Sequence, residues 1–280
     1  MRIREAVCIA GSSRANEDMW GQSADTVWLM DGATGLSDMP LFPQAPSDPS
    51  WLVGAFDDFF HANAADFGAD LAGLVAAGIA YVRQRFDNQR TREVAHSYEL
   101  PVATLVMAHT GADTLTLLTL SDSYLITRYG NDVRLMGGDP MHEAIDAHTM
   151  QQLAKLRAQG VTDIQQARQM LLPTIRSGRM KANAPDGYPA LGIEKGIEAR
   201  LQVQTMPLPS GPLLLVSDGF SRLWDTFTAY SPATLLTAAQ ERGLEPLYAE
   251  LRALENADAD ALKHPRLKKS DDATAVLVIL

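Results

Sequence analysis

The closing run of the chain, Ala-Thr-Ala-Val-Leu-Val-Ile-Leu at 273–280, is apolar at almost every position and follows directly on Asp271-Asp272. A strand with one wet face alternates polar and apolar residues, so a run apolar on both faces must be covered on both. Two sheets packed face to face, with helices outside each, satisfy that demand. The same pairing of apolar run and acidic end recurs twice: Val27-Trp28-Leu29-Met30 leads into Asp31-Gly32, and Leu213 to Ser217 leads into Asp218-Gly219. A fourth acidic cluster is Asn16-Glu17-Asp18. A carboxylate at the end of a buried strand is costly unless something neutralises it. Several such ends gathered by folding make an oxygen-lined cation site.

The chain has 280 residues, 46% of them hydrophobic, enough for a full core. That length suits one large domain or two small ones, and no repeat or linker divides it, so a single domain over 1–280 is expected. No apolar run approaches the roughly 18 residues of a membrane span. Met1-Arg2-Ile3-Arg4-Glu5 lacks the pattern of a signal peptide. Cys8 is the sole cysteine, which excludes an internal disulfide and a thiolate zinc cage and makes a reducing cytoplasm the expected compartment. The formal charge of −10 argues against a nucleic-acid partner.

Residues 4–10 and 26–31 read as strands, and the Pro-rich stretch 40–49 as a loop. From Ser50 to about 88 the pattern is helical: Leu52, Phe56, Phe59 and Phe60, then Leu71, Leu74, Val75 and Ile79, recur at helical spacing and form core stripes. Runs at 102–108, 114–120, 124–128 and 133–136 are separated by turn chemistry, predicting hairpins. Residues 142–172 read as polar helix and 177–190, rich in Gly, Pro, Asn and Lys, as a mobile loop. Strands are expected at 198–206, 212–217 and 273–280, and helices at 219–227, 231–242 and 245–256.

Oxygen ligands without a His or Cys cluster select hard cations, Mg²⁺ or Mn²⁺, in preference to zinc. His61, His96, His109, His142, His148 and His264 show no ligand spacing with one another and read as surface or satisfied residues. Two such cations sharing a carboxylate and a water can activate that water for in-line attack on phosphorus. Arg14, four residues before Asp18, is the candidate for a bidentate phosphate clamp. Taken singly, each Asp-Gly is ordinary turn chemistry, Asp122 between two serines is ordinary hairpin chemistry, and Thr104 is a packed strand residue. The cation reading rests on their joint order.

That order resembles the metal-dependent (type 2C) protein serine/threonine phosphatase family. The segments carrying the resemblance are Arg14-Ala-Asn-Glu-Asp18, Asp31-Gly-Ala-Thr-Gly35, Ala103-Thr104, Ser121-Asp-Ser123, Leu214-Leu-Val-Ser-Asp-Gly219 and Asp271-Asp-Ala-Thr274. The resemblance implies an α+β fold, a four-layer α-β-β-α sandwich of two central, mostly antiparallel sheets flanked by helices. It implies hydrolysis of phosphoserine and phosphothreonine by a water activated between two Mg²⁺ or Mn²⁺ ions. Asp31 would bridge both ions and the Gly32 carbonyl would ligate one, supported by Glu17 and Asp18. Asp218 and Asp271 would complete the other, Asp122 with Asp218 is the candidate pair for a third, and Arg14 would hold the phosphate. The stretch at about 142–190 falls where bacterial members carry a flap. The implied partner is a phosphorylated protein, with a cognate kinase or its target behind it, and no membrane.

The chain departs from the family pattern at several points. The spacing from Arg14 to Glu17-Asp18 is one residue short. Thr34 and Ser121 stand where glycines are usual, Tyr124 replaces an Arg, Asp272 replaces a frequent Asn and is not expected to touch metal, and no His follows the Asp-Gly motif as general acid. A catalytically weakened relative acting as a regulatory binding module is the alternative. An N-terminal-nucleophile hydrolase would need a nucleophile freed at residue 1. The contexts of Asp66 to Asp70 and Asp258-Ala-Asp260 lack the strand an aspartyl nucleophile wants, and no Gly-x-Ser-x-Gly is present.

Overall fold

The computed structural model describes residues 1–13 and 15–280. One sheet holds five strands in the order β1 (Arg2–Ile9), β10 (Ala273–Ile279), β9 (Leu213–Val216), β6 (Tyr124–Tyr129) and β7 (Asp132–Gly137). The other runs β2 (Asp18–Ser23), β3 (Thr26–Gly32), β4 (Ala103–Thr110), β5 (Thr114–Leu120) and β8 (Val203–Pro207). Every neighbouring pair is antiparallel. The helices are α1 (Asp48–Phe67), α2 (Leu71–Gln89), α3 (Pro140–Ala158), α4 (Ile164–Arg179), the single turn α5 (Asp218–Ser221), α6 (Pro232–Arg242) and α7 (Leu244–Ala257).

The period of two along β10 decides the layering. Ala273, Ala275 and Leu277 turn outward into a cluster with Leu235, Leu236, Leu247 and Leu251 of α6 and α7. Val276 and Val278 turn inward and meet Val27, Leu29, Val106 and Leu117 of the opposite sheet. The far side of that sheet presents Trp28, Met30, Leu105 and Met107 to Phe56 and Phe60 of α1 and Ile79 of α2. The result is the expected α-β-β-α order of layers. Each of the fully buried Leu and Val side chains contributes about 1.5–3 kcal/mol by leaving water, which is what holds four layers together.

Local chemistry sets the outer helices. Ser47 caps α1 in a reciprocal box with Ser50, and Trp28 Nε1 donates to Asp57 Oδ1 at 2.8 Å, tying the helix to β3. The helical region expected from Ser50 to about 88 is two helices, broken at Gly68-Ala69-Asp70, where Asp70 caps α2. The strand β2 was not expected. The mobile loop expected at 177–190 is corrected. Helix α4 runs on to Arg179, and the following loop buries Tyr188 and Ala190. Leu191 then exchanges two backbone hydrogen bonds of 2.8 Å with Ala103. Gly and Asn mark tight turns there, with Asn183 at φ 58°, and burial fastens them. Among the described residues no helix is long and apolar enough to cross a membrane.

Candidate active site

Antiparallel register brings the acidic strand ends to one edge of the sandwich. Asp31, near the end of β3, lies opposite Asp18 at the start of β2 and opposite Thr104 at the start of β4. In the other sheet, Ser217 N donates to Thr274 O at 3.0 Å and Thr274 N returns to Ser217 Oγ at 3.0 Å, so Asp218 and Asp271-Asp272 emerge side by side. A Cβ on Gly219 would sit 1.8 Å from Asp272 O. The glycine is there because two backbones touch. Gly32 is the last residue of β3 and Gly219 lies in the single turn α5, and neither has positive φ, so neither glycine is there for a left-handed backbone.

A cleft of about 170 Å³ opens between these ends, lined by Asp31, Gly32, Thr34, Thr104, Asp122, His142, Asp146, Asp218, Lys268 and Asp271, with Arg168 and Arg179. Asp18, paired with Asp31 across the strands, is 3% exposed, and neither of its carboxylate oxygens has a hydrogen-bond partner among the described residues. Burial, then the neighbouring charges of Asp272, Asp218 and Asp271, push its carboxyl up to about 7, although the Thr274 hydroxyl acts the other way. Burial and the Asp18 and Asp218 charges likewise hold the Asp31 carboxyl well above its ordinary range. The buried Asp18 carboxylate and the half-buried Asp31 carboxylate opposite it have no side-chain cation paired to them among the described residues, and such a pair calls for a cation or a proton.

The remaining expected residues divide by environment. Glu17 is 5% exposed and faces a neighbouring hollow with Thr34 and Ser47; burial raises its carboxyl too. Gly32 N donates to Glu17 O at 2.9 Å, which places the start of β2 against the end of β3. Asp272 accepts from Gly11 N at 2.8 Å, Ser13 Oγ at 3.1 Å and Glu17 N at 2.7 Å. With these three hydrogen bonds it organises the loop before Glu17. Thr104 is 7% exposed and shares a hydrogen bond with Ser123 at the cleft wall. Arg14, the expected phosphate clamp, lies outside the described residues.

Asp271 is the exception among the expected ligands. Its Oδ2 accepts from Arg222 Nη2 at 2.9 Å and its Oδ1 from Lys268 Nζ at 2.5 Å. Burial works against its charge, but Lys268 and Arg222 outweigh it and hold the carboxyl at about 2. Neither cation was expected from the sequence, although Lys268 stands three residues before Asp271. Arg222 follows four residues after Asp218, a spacing that returns a side chain to the same side of a helical turn.

The reading of all six histidines as bystanders is corrected at His142. On α3, His142 and Asp146 stand four apart and so share a helix face. With Asp122 they offer one ligand atom each, all within 4.8 Å of one another. His142 Nδ1 is buried without a hydrogen bond, 3.4 Å from Asp122 Oδ2. Burial, opposed by His142 and aided by Asp218 and Asp146, raises the Asp122 carboxyl to about 7. The i, i+4 pair was visible in the sequence; its approach to a β-turn some 20 residues earlier was not. Ser121, in that turn, adopts φ 60° where the resemblance has glycine, and its Oγ donates to Pro189 O at 2.9 Å. The left-handed backbone costs roughly 1–2 kcal/mol, which the hydrogen bond offsets in part.

No protein-family model matches the chain, and comparison with curated protein sequences finds no relative. Solved structures do match. The Mycobacterium tuberculosis serine/threonine phosphatase PstP/Ppp is 18% identical with a TM-score of 0.55, covering 99% of this chain and 97% of that one. The catalytic domain of PstP in complex with two manganese ions is 18% identical with a TM-score of 0.51, covering 98% and 95%. Stp1 from Staphylococcus aureus is 13% identical with a TM-score of 0.52, covering 100% and 96%. The chain therefore has the fold of the metal-dependent serine/threonine phosphatases, and the resemblance read from its motifs holds at the level of the fold. The residues present fit a divalent cation on the Asp18–Asp31 side, where buried oxygens lack partners. They fit one less well at Asp271, whose oxygens already face two side-chain cations.

Proposed function

We propose that residues 1–280 form one catalytic unit, a divalent-cation-dependent phosphatase acting on phosphoserine and phosphothreonine in proteins. The observation that carries this reading is the unpartnered, buried Asp18 carboxylate set in register against Asp31 on the phosphatase fold. Asp31, Asp218 and the Gly32 carbonyl would hold Mg²⁺ or Mn²⁺, with Asp18 and Glu17 behind them. The bound cations neutralise phosphoryl charge and lower the pKa of water, so no covalent nucleophile is needed. Asp31 orients that chemistry, because register fixes it between Asp18 and Thr104 at the cleft floor. Arg14 would clamp the phosphate oxygens in a bidentate fork. Asp122, with His142 and Asp146, would hold a further cation beside α3. Helices α3 and α4 act as the flap: Arg176 donates to Leu36 O at 2.8 Å and Arg179 to Ala33 O at 3.2 Å, seating α4 on the Asp31 loop. A cytoplasmic phosphoprotein, with its kinase as regulatory counterpart, suits this chemistry.

The test is hydrolysis of a phosphothreonine peptide across a Mn²⁺ titration. The wild-type chain should turn over only with metal, and Asp31→Asn and Asp218→Asn should each fall to background while melting as cooperatively as the parent. Full activity in either variant would overturn the site. The regulatory-module reading draws on the Lys268 and Arg222 contacts to Asp271. Mn²⁺ binding without turnover of any phosphopeptide would favour it.

A further inference from the structure

Both oxygens of Asp271 are engaged by positive charge, and the positive charge is built in. Lys268 Nζ bridges from Asp271 Oδ1 at 2.5 Å to Thr34 Oγ1 at 2.8 Å, linking the loop before β10 to the loop after β3. It thus stands in the same cleft as Asp31 and Asp218. The loop that carries it is fastened on each side. Asp258 accepts the backbone N–H groups of Leu262, Lys263 and His264 at 3.0, 3.1 and 2.9 Å, and the Arg266 guanidinium at 2.9 Å. Leu267 packs into the α3–α4 core, and Ser270 O accepts from Ser12 N and Oγ. Lys268 is therefore no wandering surface lysine. On the other oxygen, Arg222 is held by Glu255 at 3.0 Å, and Glu255, fully buried, is held in turn by Arg252 at 2.5 Å.

We propose that the Lys268 ammonium is a resident cation that takes, at Asp271, the place of a second divalent ion, so that the Asp31 cleft binds one such ion tightly instead of two. The proposal rests on the metal-dependent reading of the Asp18–Asp31 side. Its physical basis is charge: an ammonium a few ångströms from a dication repels it strongly in a partly desolvated cleft, and Asp271 has little lone-pair capacity left to offer. Thr34 belongs to the same device, since its hydroxyl fixes the ammonium from the opposite sheet. Lys268 is a positioning residue here, fixing where positive charge lies before substrate arrives.

Mn²⁺ stoichiometry decides the matter, measured by equilibrium dialysis and calorimetry on the full chain. The Asp122→Asn background removes the contribution of the Asp122, His142 and Asp146 cluster. In that background we expect one tight site with Lys268 present. Lys268→Met should add a second site or tighten the weaker one by about tenfold or more, as removal of a neighbouring like charge requires. Lys268→Arg should keep one site, and Lys268→Gln should behave as Lys268→Met. Circular dichroism and melting of each variant identify any that fails to fold, in which case the Arg and Gln pair decides. Two tight sites with Lys268 present, or Mn²⁺ affinities within about twofold across the four chains, would overturn the proposal. Absence of Mn²⁺ binding in every chain would instead refute the metal reading on which it stands.

Discussion

Asp18 and Asp272 are both almost fully buried aspartates at the same edge of the sandwich, yet their surroundings differ completely. Asp272 accepts three hydrogen bonds and organises a loop, whereas the Asp18 side chain accepts none among the described residues. The difference has a pH signature in the chelator-treated chain. Asp18 and Asp122 are raised to about 7, so each keeps its proton in the folded chain at pH values where the unfolded chain has lost it. Stability contributed this way is present below about pH 4 and is lost as pH rises toward 7, because the folded state then binds the extra protons. Asp271 and Asp258, held at about 2, change only below that window. The metal-free chain should therefore melt higher at pH 5 than at pH 8, by at least about 3 °C, and Mn²⁺ should raise the pH 8 value. A melting temperature that rises with pH in EDTA would show that these carboxyls are neutralised from within the fold.

At the scale of elements, the segment between α7 and β10 has no regular structure but carries Lys268 and Asp271 into the cleft. Asp258 is its hub. Burial works against that carboxylate, but three backbone N–H groups and Arg266 outweigh it and hold it at about 2. A depressed carboxyl contributes stability above its unfolded value near 4 and loses it as pH falls toward 2. Asp258→Asn should therefore cost about 2 kcal/mol at pH 7, with the difference from wild type vanishing as pH falls from 4 to 2, read by urea unfolding. The hub was not legible in the sequence, since Asp258-Ala-Asp260 resembles any polar loop. Strand β2 was hidden for another reason. Its Asp-Met-Trp-Gly-Gln-Ser run has poor strand propensity, because Gly21 leaves room for the Trp28 ring, 2.5 Å from where its Cβ would stand. The long strands and the core-striped helices announced themselves by period, and their ends moved only where caps or breaks intervened.

For the whole molecule, the layer between the sheets sets stability while the edge sets chemistry. Leu215 is fully buried in the inter-sheet layer beside Val276 and Leu29. Leu215→Ala should cost about 2–5 kcal/mol and leave Mn²⁺ stoichiometry unchanged, checked by urea unfolding and dialysis on the same preparation. Loss of a metal site in that variant would mean that the two roles are not separable. The sequence by itself determined the layering, because a closing strand apolar on both faces admits burial only between two covers. It also determined which apolar strands border acid, at Asp31, Asp218 and Asp271, while Asp122 joined them only through the family resemblance; the structure lines one cleft with all four. Only the tertiary structure decided how each carboxylate is neutralised. Lys268 is only three residues from Asp271, but Arg222 and His142 reach Asp271 and Asp122 from helices whose approach depends on packing between distant segments, which no local period or spacing records. Charge balance in a buried cleft is a property of every group that enters it, and those groups are neighbours only after folding.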